Sequence, residues 1–144
     1  MASDKPCPFC AIAAGETKAH VVFEDAATIA FLDRSPLFHG HVLLIPRPHV
    51  ETVYDADDAT LEAMARVSKR VAVAVTKAMG ADGVFLAQNN VISQSVPHLH
   101  THIVPRRKGD GLFSPRVIWK RVRYRGEAQM SEVAARIRAV IEGQ

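Results

Sequence analysis

The sequence has 144 residues, 48% hydrophobic and 23% charged, which excludes a disordered chain and suits a single domain spanning 1–144 that buries roughly two-thirds of its unfolded surface. No apolar run reaches the roughly 18 residues of a membrane span. Met1-Ala2-Ser3-Asp4-Lys5 has no signal-peptide core, so a cytoplasmic protein without membrane association is expected. Net charge is only +3 but segregated: residues 106–125 hold eight Lys or Arg and one Asp, a local +7 that leaves −4 for the rest. With no interleaved aromatic platform, this segment reads as a solvated rim that attracts polyphosphate groups, rather than as a nucleic-acid site.

In chain order, Pro6-Cys7-Pro8-Phe9-Cys10 comes first, a Cys-x-x-Cys spacing that suits a metal knuckle or a redox pair. The few residues before Cys7 leave no room for the strand of a thioredoxin-like site. Metal is therefore the first expectation and two reduced thiols the alternative. Two thiolates leave a tetrahedral zinc ion two ligands short, and the chain has seven histidines.

Val21–Glu24 and Thr28–Leu32 are β-rich runs separated by Asp25-Ala26-Ala27, a predicted hairpin. A third strand is expected at His41–Ile45, ended by Pro46 and Pro48, with His49 on the loop beyond. From Asp57 to Met79, Leu61, Met64, Ser68, Val71, Val75 and Met79 recur at helical spacing, capped by Asp57 or Asp58 and closed by Gly80. Strand character returns at Gly83–Ala87, followed by the polar link Gln88–Ser95 and a strand through Pro97–Pro105. A glycine-rich basic segment, Arg106–Gly111, is followed by Val117-Ile118-Trp119, and a final amphipathic helix is predicted from about Ser131 through Val133, Ala134, Ile137 and Ile141 to the end. Strands, a long helix, strands and a terminal helix argue for α+β with an antiparallel sheet.

The run His98-Leu99-His100-Thr101-His102 carries the chemistry. On a strand, alternate residues share a face, so the three imidazoles emerge together at about 6.6 Å spacing. Three uses are open: a catalytic metal site, nucleophilic attack on an electrophile such as phosphorus, or three inert histidines. Rings so spaced on one flat strand do not readily converge on one ion at about 2 Å, which weakens the first. A neutral imidazole near pH 7 is a competent nucleophile, and phosphoryl transfer depends on donors placed around the phosphate oxygens.

The run His98-Leu99-His100-Thr101-His102-Ile103-Val104, preceded by Gln94-Ser95-Val96, resembles the signature of the histidine-triad nucleotide-binding proteins. Cys7-Pro8-Phe9-Cys10, Val22-Phe23-Glu24-Asp25, Ala30-Phe31-Leu32-Asp33, Gly40–Pro46 and Pro48-His49 follow in that family's order. Pro105-Arg106, Lys108-Gly109-Asp110-Gly111 and Trp119 resemble bacterial members. The resemblance implies an antiparallel sheet of about five strands with one long central helix and a C-terminal helix.

It further implies a nucleotide hydrolase or transferase acting at the α-phosphate of a purine nucleotide derivative: a phosphoramidate, a dinucleoside polyphosphate or an adenylated small molecule. His100 would be the nucleophile, His102 would contact the phosphate and move a proton, and His41 would stand behind the nucleophile. Gln94, Ser95 and either Asn89 or Asn90 would bind phosphate or leaving group. Asp33 would accept from the ribose, with Phe9, Phe31 and Leu32 near the base; Phe9 and Phe31 equally suit core packing and Asp33 a turn. Cys7, Cys10, His49 and His98 would hold one structural Zn2+ per chain. A homodimer is implied, its C-terminal segments approaching the partner's site. Ser93 stands where the family has a glycine, and the loop is short. The alternative function is a nucleotide-binding regulatory module with little turnover.

Overall fold

Cys7 and Pro8 begin a helix that the sequence pattern did not announce. In the computed structural model, which describes residues 6–115 and 120–144, α1 spans Pro8–Ala13. Pro8 suits its first turn, and Cys7 Sγ accepts from the Cys10 N–H at 3.4 Å. The Cys-x-x-Cys is thus a capped helical turn.

The predicted hairpin forms because Asp25 turns the chain: its Oδ1 accepts from the Ala27 and Thr28 N–H groups at 2.9 and 2.7 Å. It joins β1 (Val21–Glu24) to β2 (Thr28–Leu32), and β2 pairs in turn with β3 (Val42–Pro46). The long helix α2 runs Asp58–Ala78, with Asp57 capping it by accepting from the Thr60 N–H at 2.8 Å. β4 (Gly83–Ala87) and β5 (Thr101–Arg106) complete a fully antiparallel sheet in the order β1-β2-β3-β5-β4.

The two faces of the sheet diverge by simple alternation. Ala30 and Leu32 of β2, Val42 and Leu44 of β3, and Ile103 of β5 pack under α2 and the C-terminal helix α3 (Glu127–Glu142), against Val71, Val75 and Ile137. Ile29, Phe31, Leu43 and Ile45 point the other way and pack with Phe9 of α1. His102 pairs with Leu43 in the ladder and shares its face, so the site lies opposite the two long helices.

Two boundaries differ from the sequence pattern. The histidine strand enters the ladder only at Thr101, so His98 and His100 precede it. Continuing the register Leu44↔Thr101 would place Leu99 opposite Pro46, which has no N–H to give. The Leu99 N–H instead donates to the Val50 carbonyl at 2.8 Å. The last helix begins at Glu127, not Ser131, because Gly126 takes φ 156° and the Arg125 N–H donates to Gln129 Oε1 at 2.7 Å. Val117-Ile118-Trp119 lies outside the described residues. Among those described, no helix is long and apolar enough to cross a membrane.

Candidate active site and metal cluster

Cys7 caps α1, Cys10 lies within it, His49 follows β3, and His98 precedes β5. One ligand atom from each lies within 4.8 Å of all the others. His98 Nδ1 stands 3.4 and 3.6 Å from the Cys7 and Cys10 sulfurs, and His49 Nδ1 stands 3.3 Å from Cys10 Sγ. A tetrahedron with bonds of about 2.3 Å to sulfur and about 2.0 Å to nitrogen separates S from N by about 3.5 Å. His98 Nε2 lies 2.8 Å from the Pro46 carbonyl, so it carries the proton and Nδ1 turns its lone pair on the sulfurs. Burial holds His98 below the usual imidazole pKa and thus neutral, as a ligand must be. Donor types, spacing and tautomer all fit a closed zinc site.

The next histidine is oriented by the same backbone turn. His100 Nδ1 donates to the His98 carbonyl at 2.7 Å, which leaves the Nε2 lone pair free. His100 is 3% exposed and its ring meets Phe9 edge-on, centroids 5.2 Å apart. Burial lowers its pKa, opposed by its bond to His98 and by the Asp33 charge. A neutral imidazole with Nε2 unprotonated is the nucleophilic form.

His102 is fixed from behind by His41, not left beside the nucleophile alone. The Leu37 N–H donates to His41 Nδ1 at 3.0 Å, so His41 carries its proton on Nε2, 2.9 Å from His102 Nδ1. His102 Nδ1 therefore accepts, and the proton of the neutral ring sits on Nε2. Burial first, then the charges of His102, Arg121 and His100, hold the His41 pKa well below its usual value. Burial, then the charges of His100 and Arg121, takes His102 to about 4. His41 was expected behind His100; its hydrogen bond goes instead to His102, because β3 pairs Leu43 with His102 and the chain entering β3 reaches that ring first.

His100 and His102 face a cavity of about 480 Å³, a size that suits a mononucleotide. Phe9, Phe31, Leu32, Asp33, Ser95, His100 and His102 line it together. Phe9 and Phe31 pack edge to face, centroids 5.5 Å apart, and both also belong to the core beneath. Asp33 Oδ1 accepts from the Ser35 N–H at 2.8 Å, and Oδ2 lies 3.3 Å from Arg121 Nη1. Burial raises the Asp33 pKa, against the Ser35 N–H and the Arg121 charge.

Three predicted residues stand elsewhere. Gln94 accepts from the Val91 N–H and donates to the Glu51 carbonyl, Asn90 Oδ1 accepts from the Val53 N–H at 2.7 Å, and neither they nor Asn89 lines the cavity. The short loop is locked to the chain before α2. Ser93 adopts φ 59° and Val91 φ 70°, left-handed conformations that glycine takes without cost. Arg121 lines the cavity, as do Lys18, His20 and Arg34, and sequence reasoning singled out none of them. The +7 segment flagged the charge but not which cation reaches inward.

Comparison with known proteins agrees with this geometry. The HIT domain pattern matches residues 14–109. A zinc-bound histidine triad family protein from Mycobacterium smegmatis superposes with a TM-score of 0.82 at 33% identity, over 95% of this chain and 94% of that one. The adenylylsulfatase HINT3 of Arabidopsis thaliana is 36% identical over 110 residues, 75% of this chain and 56% of the relative. The adenosine 5'-monophosphoramidase HNT1 of Saccharomyces cerevisiae is 36% identical over 106 residues, 72% of this chain and 65% of the relative. The chain belongs to the HIT domain family.

Proposed function

We propose that the protein transfers the nucleotidyl group of a purine nucleotide derivative to His100 and then to water. The observation that carries this reading is the commitment of His100 Nδ1 to the His98 carbonyl, which leaves Nε2 unprotonated at the wall of a nucleotide-sized cavity. In the first step Nε2 attacks the α-phosphorus, an N–P bond forms, and the bond from phosphorus to the leaving group breaks. His102 Nε2–H hydrogen-bonds the leaving atom and stabilises the charge that develops there, while the His41 Nε2–H donates to His102 Nδ1 behind it. A departing sulfate needs no proton, and a departing amine leaves from the N-protonated phosphoramidate. In the second step water attacks the phosphorus, the N–P bond breaks to release His100 with a nucleoside monophosphate, and the water's proton goes to solvent. Asp33 accepts from the ribose hydroxyls, Phe9, Phe31 and Leu32 hold the base, and Ser95 donates to the phosphate. Asn90 and Gln94 act from the loop by holding its shape. The names of two relatives, an adenylylsulfatase and an adenosine monophosphoramidase, support an adenylyl group with a sulfate or amine leaving group. Mixing the protein with adenosine 5'-phosphoramidate releases AMP on this reading, and H100A abolishes release; undiminished H100A activity would refute it.

We infer one structural zinc per chain at Cys7, Cys10, His49 and His98, which would clamp α1 to the segment entering β5 and so fix Phe9 against His100. We also infer one domain over the whole chain, a cytoplasmic setting and a homodimer. The dimer is supported by β4, which ends the sheet with Leu86 46% exposed, and by the exposed Val73 on α2. Sedimentation equilibrium at twice the monomer mass is the expected result.

A further inference from the structure

We propose that Arg121 recognises an anionic leaving group and so sets substrate preference, by exchanging its partner Asp33 for the substrate. The inference rests on the nucleotidyl-transfer reading above. Arg121 lines the same cavity as His100 and His102, and its Nη1 pairs with Asp33 Oδ2 at 3.3 Å and donates to the Ser35 carbonyl. Asp33 Oδ2 is also 3.7 Å from His41 Nε2, so the guanidinium stands at the phosphate end of the cavity, beside the His41–His102 pair.

The backbone around Arg121 is anchored while its side chain stays 44% exposed. The Val122 N–H donates to the Pro36 carbonyl at 2.9 Å, and His39 Nε2 donates to the Arg123 carbonyl at 2.9 Å. Tyr124 stacks on His39 at 4.4 Å and accepts from the Gly40 N–H at 2.9 Å. All four grips are on the connection between Asp33 and His41. The strap holds its place, and a rotamer change of Arg121 suffices to redirect the guanidinium.

The other cation next to Asp33 is already engaged. Both terminal nitrogens of Arg34 donate to Glu127 Oε1, at 2.9 and 3.0 Å, and Glu127 Oε2 also pairs with His20. Arg121 has Asp33 as its carboxylate partner, and that carboxylate is the one the ribose needs. When ribose hydroxyls donate to Asp33, the guanidinium loses part of its pairing inside a partly desolvated cavity. A sulfate or phosphate leaving group restores it with planar, two-pronged hydrogen bonds; an uncharged amine offers nothing comparable. The negative charge on the departing oxygens grows as the bond to phosphorus breaks, so the contact strengthens in the transition state.

The test compares kcat/KM for adenosine 5'-phosphosulfate with that for adenosine 5'-phosphoramidate in wild type, R121Q and R121K. The expected result is a fall in the phosphosulfate-to-phosphoramidate ratio of about tenfold in R121Q, with only part of it regained in R121K, which keeps the charge but not the two-pronged geometry. The ratio is internal to each variant, so a general loss of folded protein does not change it. An unaltered ratio in R121Q would overturn the inference and leave the nucleotidyl-transfer reading standing. A wild-type protein inert towards both substrates would overturn that reading and this inference with it.

Discussion

His41 Nε2 lies 2.9 Å from His102 Nδ1, and both rings are held neutral in the folded protein. The pair has a consequence for stability. The folded pKa of His102 is depressed to about 4 from the usual imidazole value of 6.5, first by burial, so between those values the unfolded chain binds more protons than the native one. Stability from this group is complete above about pH 6.5 and is lost as the pH falls toward 4. The melting temperature should drop across that window, and H102N, which keeps an acceptor for His41 but cannot titrate, should drop less. An equal drop in both proteins would mean that His102 is not a linked group.

Removing the metal should unclamp α1. C10S, or exhaustive chelation of the wild type, should abolish stoichiometric zinc and cost on the order of 3 kcal/mol, roughly 10 °C in melting temperature. Activity should fall as well, because Phe9 lies between the two cysteines and packs on His100. Elemental analysis with calorimetry checks both; a metal-free protein of unchanged melting temperature would remove the claim.

D33N keeps an acceptor for the Ser35 N–H but loses the charge. The expected effect is about a tenfold rise in KM for a ribonucleotide substrate, with a much smaller change for its 2',3'-dideoxy counterpart. Steady-state kinetics with the two sugars separates ribose recognition from a turn role, which would leave both unchanged.

Ile137 is fully buried between α3 and the sheet, on the face opposite the cavity. I137A should lower stability by about 3 kcal/mol while leaving kcat near wild type. Denaturant titration and turnover on the same sample test whether the helix face and the histidine face are separable.

Much of this was legible in the chain because the signals are local. Asp25 and Asp57 act on residues two or three positions away, and the apolar spacing from Leu61 to Val75 needs only its own helix. The histidine alternation was also legible, and it survives although the ladder ends at Thr101: Leu99 and Ile103 enter the helix-side core while His102 faces the cavity. What was not legible depends on register and long-range closure. Which ring His41 meets is set by the pairing of Leu43 with His102, and where the ladder stops is set by Pro46 lying opposite Leu99. Arg121 is 88 residues from Asp33, and one arginine in a basic run looks like its neighbours until the strap docks. Cys7 capping its own helix escaped notice because cysteine is seldom weighed as a cap.

The central claim is that His100 Nε2 forms a bond to phosphorus. Rapid acid-free quenching of the protein with adenosine 5'-phosphosulfate, followed by mass spectrometry of the peptide containing His98–His102, tests it most directly. A transient mass increase of one adenylyl group is expected, localised to His100 and missing in H100A. Turnover without any adduct, or an adduct that persists in H100A, would contradict it.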